Sequence, residues 1–298
     1  MKCKVCKEVA VVSLRSHHAG FCEKCFLQFF NKQVEKGIHK QKLFSKEDKI
    51  LVALSGGKDS LALMLALAHQ GYDITGLHID LAIPNSSEVT RAVVERFCNK
   101  HNFRLIIKDM AEEGLAIPQV KAKLKRPICS ACGKIKRYFF NKVAIDEGFT
   151  VLATGHNLDD EVARLFSNTI RWDLAYLSDQ GPKLEAESGF ASRAKPLWRL
   201  TEFETANYAF LMDIEYHYAS CPYSQGASFT QHKLLWQQLE EAMPGRKIDF
   251  YQNFLKKARP IFAKHEESEG INLEPCQSCG YPTSSELCGV CRIKEVVS

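Results

Sequence analysis

The sequence has no long apolar run, no apolar h-region of a secretory signal at its N-terminus and no acidic residue between Lys121 and Lys142. The longest apolar run, Leu61 to Ala68, falls far short of the ~20 residues a spanning helix needs, so the chain is expected not to enter a membrane. The opening Met-Lys-Cys-Lys-Val-Cys is not a secretory signal, which predicts a cytoplasmic protein. Neither charge sign dominates, with 40 Lys+Arg against 35 Asp+Glu, a formal charge of +5 and 45% hydrophobic residues. That composition excludes a disordered or fibrous chain. Its 298 residues suffice for one sizeable core and smaller appended units.

Twelve cysteines in a reducing compartment do not read as a disulfide framework. Cys3, Cys6, Cys22 and Cys25 form two C-x2-C pairs fifteen residues apart, and Cys276, Cys279, Cys288 and Cys291 form two more, eight apart. Each set has the spacing of a structural zinc site, in which four thiolates close the coordination shell and staple a unit with little core. The alternative is a set of reduced, unmetallated thiols. His17 and His18 are alternative ligands for the first site, read instead as exposed loop residues, since four thiols are already present. Cys98 lies in a segment with apolar residues at helical spacing, Val89, Val93, Val94 and Phe97, and reads as an inert core thiol.

From Asp48 an apolar β-prone run leads into Ser55-Gly56-Gly57-Lys58-Asp59-Ser60 and then a helical stretch to His69. A strand, a glycine loop and a helix start aim unpaired backbone N–H groups at an anion, and Lys58 adds a full positive charge. This is not a Walker A loop, because Asp59 follows the lysine and Val52 stands where the first glycine belongs. Strands are predicted at 73–80, 104–108 and 150–154, separated by helical patterns, which implies a doubly wound parallel α/β sheet of Rossmann-like type. Its ligand belongs at the carboxyl ends of the strands. There the backbone at the end of Asp73 to Asp80 is placed to read an adenine edge. In Gly155-His156-Asn157-Leu158-Asp159-Asp160-Glu161, Gly155 permits close approach and Asp160 is a magnesium candidate, although Asn157 also reads as the cap of a helix with an acidic first turn.

Three cysteines remain: Cys129 and Cys132, expected just ahead of a helix, and Cys221 far downstream. Their spacing admits a cluster with one iron lacking a protein ligand, a catalytic persulfide with a resolving thiol, or a knuckle unrelated to Cys221. The segment around the first two carries Lys121, Lys123, Lys125, Arg126, Lys134, Lys136, Arg137 and Lys142. Taking these eight from the basic total leaves the rest of the chain slightly acidic. Such a patch suits a phosphate backbone and is expected to lower nearby thiol pKa values, unless it is simply a solvated helix face.

SGGKDS resembles the pyrophosphate loop of the ATP-pyrophosphatases. Together with CSACGKIKR, GHNLDDE and CPYS, bracketed by two four-cysteine units, the chain resembles the TtuA-type tRNA 2-thiolation enzymes within the TtcA/TtuA group from Cys3 to Cys291. The resemblance implies ATP-dependent adenylation of the C2 oxygen of a tRNA uridine, the T-loop 5-methyluridine by the pattern of CPYS and CGYPTS, followed by replacement with sulfur. It implies an ATP site at Ala53, Leu54, Ser55, Gly56, Gly57, Lys58, Asp59, Ser60, Ile79, Lys136, Gly155 and Asp160. Lys136, Asp160 and Asp59 then take catalytic roles, and Cys129, Cys132 and Cys221 hold a 4Fe-4S cluster carrying the sulfur. Implied cofactors are ATP, magnesium, that cluster and two structural zinc ions. Implied partners are tRNA, across Lys121, Lys123, Lys125, Arg126, Lys134 and Arg137, a ubiquitin-like thiocarboxylate carrier and a second copy in a homodimer. The expected division is a finger at 1–30, a catalytic domain at 31–225, a helical extension at 226–265 and a zinc ribbon at 266–298. Competing readings are a wobble-uridine or cytidine thiolase, a small-molecule amide ligase sharing the loop, and a non-enzymatic RNA-binding finger protein. The ligase has no use for the three extra thiols, and the finger protein leaves Lys58 and Asp59 unexplained.

Overall fold

The computed structural model describes every residue except 126, 188, 219–220, 224–227, 267–272 and 298. A hairpin of β1 (Val12–Leu14) and β2 (Ala19–Phe21) leads into α1 (Glu23–Gln41). Strands and helices then alternate through β3 (Lys49–Ala53), α2 (Lys58–His69), β4 (Asp73–Asp80), α3 (Ser87–His101) and β5 (Leu105–Asp109). Helices α4 (Ile117–Lys123) and α5 (Ile128–Asp146) carry the chain back to β6 (Val151–Thr154) and α6 (Leu158–Arg171). After α7 (Leu174–Ser178), β7 (Lys183–Leu184) and β8 (Ser192–Ala194) complete the sheet, and α8 (Glu202–Leu211) follows. Three further helices, α9 (Ser228–Ala242), α10 (Arg246–Asn253) and α11 (Arg259–Glu266), precede a small hairpin of β9 (Glu274–Pro275) and β10 (Pro282–Thr283) and the closing α12 (Gly289–Val297).

The main sheet has the order β5-β4-β3-β6-β8-β7, parallel except for β7, which pairs antiparallel with β8. The chain builds outward from β3 through β4 to β5, then returns to add β6 on the other side of β3. Strand order therefore reverses between β3 and β6, and the crevice at their carboxyl ends is where such sheets bind ligands. The three predicted strands are present with ends displaced by at most one residue. β7 and β8 were not anticipated, because Lys-Leu and Ser-Arg-Ala are too short and too polar to stand out as strands.

Side chains alternate across the sheet. Ile50 and Val52 enter one core with residues of α1, α2, α6 and α8, whereas Leu51, Leu77, Ile79 and Leu152 enter a second core with α5 and α12. Every residue from Leu61 to Leu67 is buried, so the longest apolar run is an interior helix packed on all sides. The termini contribute to opposite cores. Val12, Leu14, Phe21, Phe26 and Phe30 join the first, and Val290 and Ile293 join the second. Among the described residues, no helix is long and apolar enough to cross a membrane.

Candidate active site

The loop that leaves β3 is closed by its own serines. Gly57 N–H donates to Ser55 Oγ at 3.3 Å, Ser60 Oγ donates to the Gly57 carbonyl at 2.9 Å, and the two hydroxyls lie 3.3 Å apart. Gly56 sits at φ +79°, a left-handed conformation that favours glycine, and a Cβ there would lie 3.1 Å from the Thr90 carbonyl oxygen. At the end of β6, a Cβ on Gly155 would lie 2.8 Å from the Ser60 nitrogen. Only glycine lets the end of β6 and the start of α2 meet this closely.

A ring of charge surrounds that meeting point. Lys58 Nζ lies 2.8 Å from Glu202 Oε1 and 3.2 Å from Asp59 Oδ2. Lys233 Nζ lies 2.6 Å from Asp160 Oδ1 and 3.3 Å from Glu202 Oε2. Asn157 donates through Nδ2 to Asp59 Oδ1 at 3.1 Å while its own Oδ1 accepts from Asp160 N–H at 3.2 Å. Asp160 Oδ2 accepts from Asn157 N–H in return, completing a capping box. Asn157 is thus the helix cap expected of it and also a tie to the loop. Burial pushes the Asp59 carboxyl above its ordinary pKa, with Lys58 and Asn157 offsetting only part of the cost. Burial also opposes ionisation of Glu202, but Lys58 and Lys233 outweigh it and hold that carboxyl below its usual range. Lys58, desolvated yet flanked by Asp59 and Glu202, stays firmly protonated, with its pKa raised.

Beside the loop lies a cavity of about 470 Å³ whose walls include Ala53, Leu54, Ser55, Gly57 and Ile79 from the strand ends. The same cavity is lined by Cys129, Cys132, Lys136 and Cys221. Helix α5 explains the grouping. Cys129, Cys132, Gly133, Lys136 and Phe140 recur at helical spacing and form the face toward the cavity. Ala131, Ile135, Tyr138 and Phe139 form the face buried in the second core, and Lys134 and Arg137 project outward, exposed. The expectation that Cys129 and Cys132 precede a helix is corrected. They lie in its first turns, since Pro127 at the N-cap lets the helix start at Ile128.

Cys129 Sγ donates to the Tyr223 carbonyl at 3.5 Å, which brings the chain beyond Cys221 against α5. The expected lowering of thiol pKa is reversed at Cys132, where burial raises it and outweighs the opposing charge of Lys136. His78, which also lines the cavity, lies with Nδ1 2.9 Å from the Leu54 carbonyl, and burial keeps its ring neutral.

Lys121, Lys123, Lys134, Arg137 and Lys142 are exposed on α4 and α5, Lys125 is exposed in the link between them, and Arg126 lies outside the described residues. Lys142 is paired with Asp146 at 3.0 Å, and the Lys121 ammonium sits 4.3 Å from the Tyr223 ring centre, which joins the basic face to the cavity mouth.

The terminal cysteines converge as two sets. Cys3, Cys6, Cys22 and Cys25 bring their ligand atoms within 4.8 Å of one another, as do Cys276, Cys279, Cys288 and Cys291, which is geometry that can hold a metal ion. In each, the third cysteine immediately precedes a helix and the fourth lies in its first turn, at α1 and at α12. His17 is not a bare loop residue. It stacks edge-on against Phe29 with ring centres 4.9 Å apart and lies 3.9 Å from the buried Glu204. Cys98 is buried in the core as expected, and burial pushes its thiol up to about 11.

The PP-loop domain family model matches residues 16–218, and the model for the N-terminal LIM domain of the 2-thiouridine synthetase TtuA matches residues 2–27. A Thermus thermophilus protein named tRNA-5-methyluridine(54) 2-sulfurtransferase is 40% identical over 298 residues, 100% of this chain and 92% of that protein. The chain belongs to the TtuA family of PP-loop proteins. A member of that name from Pyrococcus horikoshii is 38% identical over 98% of this chain and 93% of its own length. The solved U34-tRNA thiolase NcsA of Methanococcus maripaludis, with its 4Fe-4S cluster, covers 99% of this chain and 96% of its own at TM-score 0.78 and 24% identity, a likeness of fold. Against this TtuA-family framework, the residues that sequence reasoning missed are Glu202 and Lys233. A signal for the first was present, since Thr201 and Glu204 are spaced as a capping box and mark a helix starting at Glu202. Nothing in the local sequence marks Lys233, which α9 delivers from outside the strand-end motifs.

Proposed function

We propose that the chain is an ATP-dependent tRNA 2-thiolation enzyme acting on the T-loop uridine at position 54. The observation that carries this reading is the single cavity lined both by the phosphate loop and by Cys129, Cys132 and Cys221. A nucleotide activated at the loop and a sulfur held at the thiols would share one space. The target position follows the names of the 38–40% identical relatives. The U34 enzyme supports the fold only.

The uridine C2 oxygen is a poor leaving group. In the proposed first step it attacks the α-phosphorus of ATP and pyrophosphate departs. In the second, a sulfur nucleophile adds at C2 and AMP departs with the original oxygen. Backbone N–H groups of Ser55 to Ser60 and the Lys58 ammonium would hold the pyrophosphate. Asp160, with the Asp59 carboxylate beside it, would hold magnesium, which neutralises phosphate charge when bound. Lys136, on the cavity face of α5, would stabilise charge at the α-phosphate. Ala53, Leu54 and Ile79 would line the adenosine.

Three soft donors lining one cavity fit a 4Fe-4S cluster better than a lone ion, because a cuboidal cluster spaces its thiolates more widely than one ion does. Among the described residues, the three do not converge as the terminal tetrads do. Such a cluster, when bound by three thiolates, supplies an iron open to a sulfide-level sulfur. The tetrads would take zinc. The boundaries 1–30, 31–225, 226–265 and 266–298, the cytoplasmic location, the thiocarboxylate carrier and the homodimer are parts of this proposal that rest on the family resemblance. Anaerobic protein incubated with unmodified tRNA, ATP, magnesium and sulfide tests the reading. Nucleoside mass spectrometry mapped to position is expected to find 2-thio product at 54, and product at 34 instead would transfer the chain to the wobble reading.

A further inference from the structure

The phosphate loop carries one lysine, yet the group it would release bears several negative charges. The ring around the loop holds three carboxylates, Asp59, Asp160 and Glu202, against two ammonium groups, Lys58 and Lys233. Glu202 is shared. One of its oxygens faces Lys58 and the other faces Lys233. An anion entering beside Lys58 therefore meets Glu202 already occupying the positive end of the loop, and it can compete for both ammonium groups at once.

Lys233 is placed for that exchange. It comes from α9, whereas Lys58 opens α2, so two elements far apart in the chain each bring an ammonium to the same carboxylate. Its side chain is 27% exposed, and its ammonium is held by two ion pairs and lies 5.7 Å from the Phe229 ring centre. Glu202, with a side chain 45% exposed against 17% for Asp160, is the more solvated of the two carboxylates on Lys233 and so the one that phosphate oxygens replace at lower cost.

We propose that Lys233 is a second cationic ligand of the pyrophosphate end of ATP, exchanging Glu202 for phosphate oxygens as the nucleotide binds. This rests on the reading of Ser55 to Ser60 as a phosphate loop. The residue is assigned to ground-state and transition-state binding of the leaving group, and no covalent step is assigned to it.

The test compares ATP, AMP and inorganic pyrophosphate binding by calorimetry, with magnesium in the buffer, for wild type, Lys233→Gln, Lys233→Arg and Glu202→Gln. Losing one charge-assisted contact predicts that Lys233→Gln weakens ATP and pyrophosphate roughly ten- to hundredfold and leaves AMP unchanged. Lys233→Arg is expected to stay within a few-fold of wild type for all three. Glu202→Gln removes the competing anion while keeping Lys233 and is expected to bind ATP and pyrophosphate more tightly. The proposal is overturned if Lys233→Gln binds ATP normally or loses ATP and AMP equally, as a purely structural lysine would. Should Lys233→Gln fail to fold, weaker pyrophosphate binding by Glu202→Gln overturns it instead. A wild-type protein that does not prefer ATP to AMP would defeat the phosphate-loop reading itself, a result distinct from any of these.

Discussion

The terminal tetrads and the central trio of cysteines use the same C-x2-C spacing for opposite ends. In the tetrads two pairs meet, four thiols converge, and the site closes on itself beside a small hairpin and a helix start. In the trio the pair lies along one face of a 19-residue helix, the third thiol comes from a distant segment, and all three line a cavity they share with a phosphate loop. Spacing alone does not tell a staple from a reactive site. What separates them is whether a second pair is present and what else lines the space. The two tetrads also differ from each other. The first joins the core behind α2, whereas the second joins the core that carries α5, so the C-terminal unit braces the helix that bears Cys129 and Cys132.

Breaking the trio should have the largest effect. Cys129→Ala, Cys132→Ala or Cys221→Ala is expected to abolish thiolation and bleach the brown colour of anaerobic protein, read by iron analysis and absorbance. Wild-type protein that is colourless and iron-free yet fully active would exclude the cluster and favour a persulfide. Next in size, Asp160→Ala is expected to lower ATP-dependent thiolation by at least about a hundredfold, as loss of a transition-state charge partner does, with tRNA binding nearly intact. Normal activity would remove magnesium from Asp160.

Breaking a tetrad should act on stability first. Cys276→Ser or Cys288→Ser is expected to release one equivalent of zinc and lower the melting temperature by several degrees. Activity of the remaining folded fraction should fall less than in the trio variants. A tetrad variant that keeps its fold and loses all thiolation would place chemistry at the ribbon. The smallest expected effect is at the basic face. Charge reversal of Lys123 and Lys125 should weaken tRNA binding and reduce its salt slope by about 1.4 to 1.8, the contribution of two phosphate contacts. An unchanged slope would make the patch a solvated helix face.

Much of this was legible in the sequence because the signals are local. The apolar runs of β3, β4 and β6 and the glycine loop each declare themselves over a few residues, and both tetrads follow from spacing. The reversal of strand order, which selects the crevice, was legible only as a class of fold. The missing part is long-range. Glu202 and Lys233 reach the loop from α8 and α9, and nothing near Lys58 in sequence announces them. Cys132 was misjudged because charge density along the chain is visible in sequence whereas burial is not, and burial prevails there.

In the proposed reaction one cavity joins ATP activation to sulfur delivery. The most direct test is tRNA thiolation with position-mapped nucleoside mass spectrometry, using anaerobic wild type and Cys221→Ala side by side in ATP, magnesium and sulfide. ATP-dependent 2-thiouridine product at position 54 is expected from wild type and none from Cys221→Ala, with ATP binding equal in both. Equal thiolation by both proteins would separate sulfur delivery from this cavity.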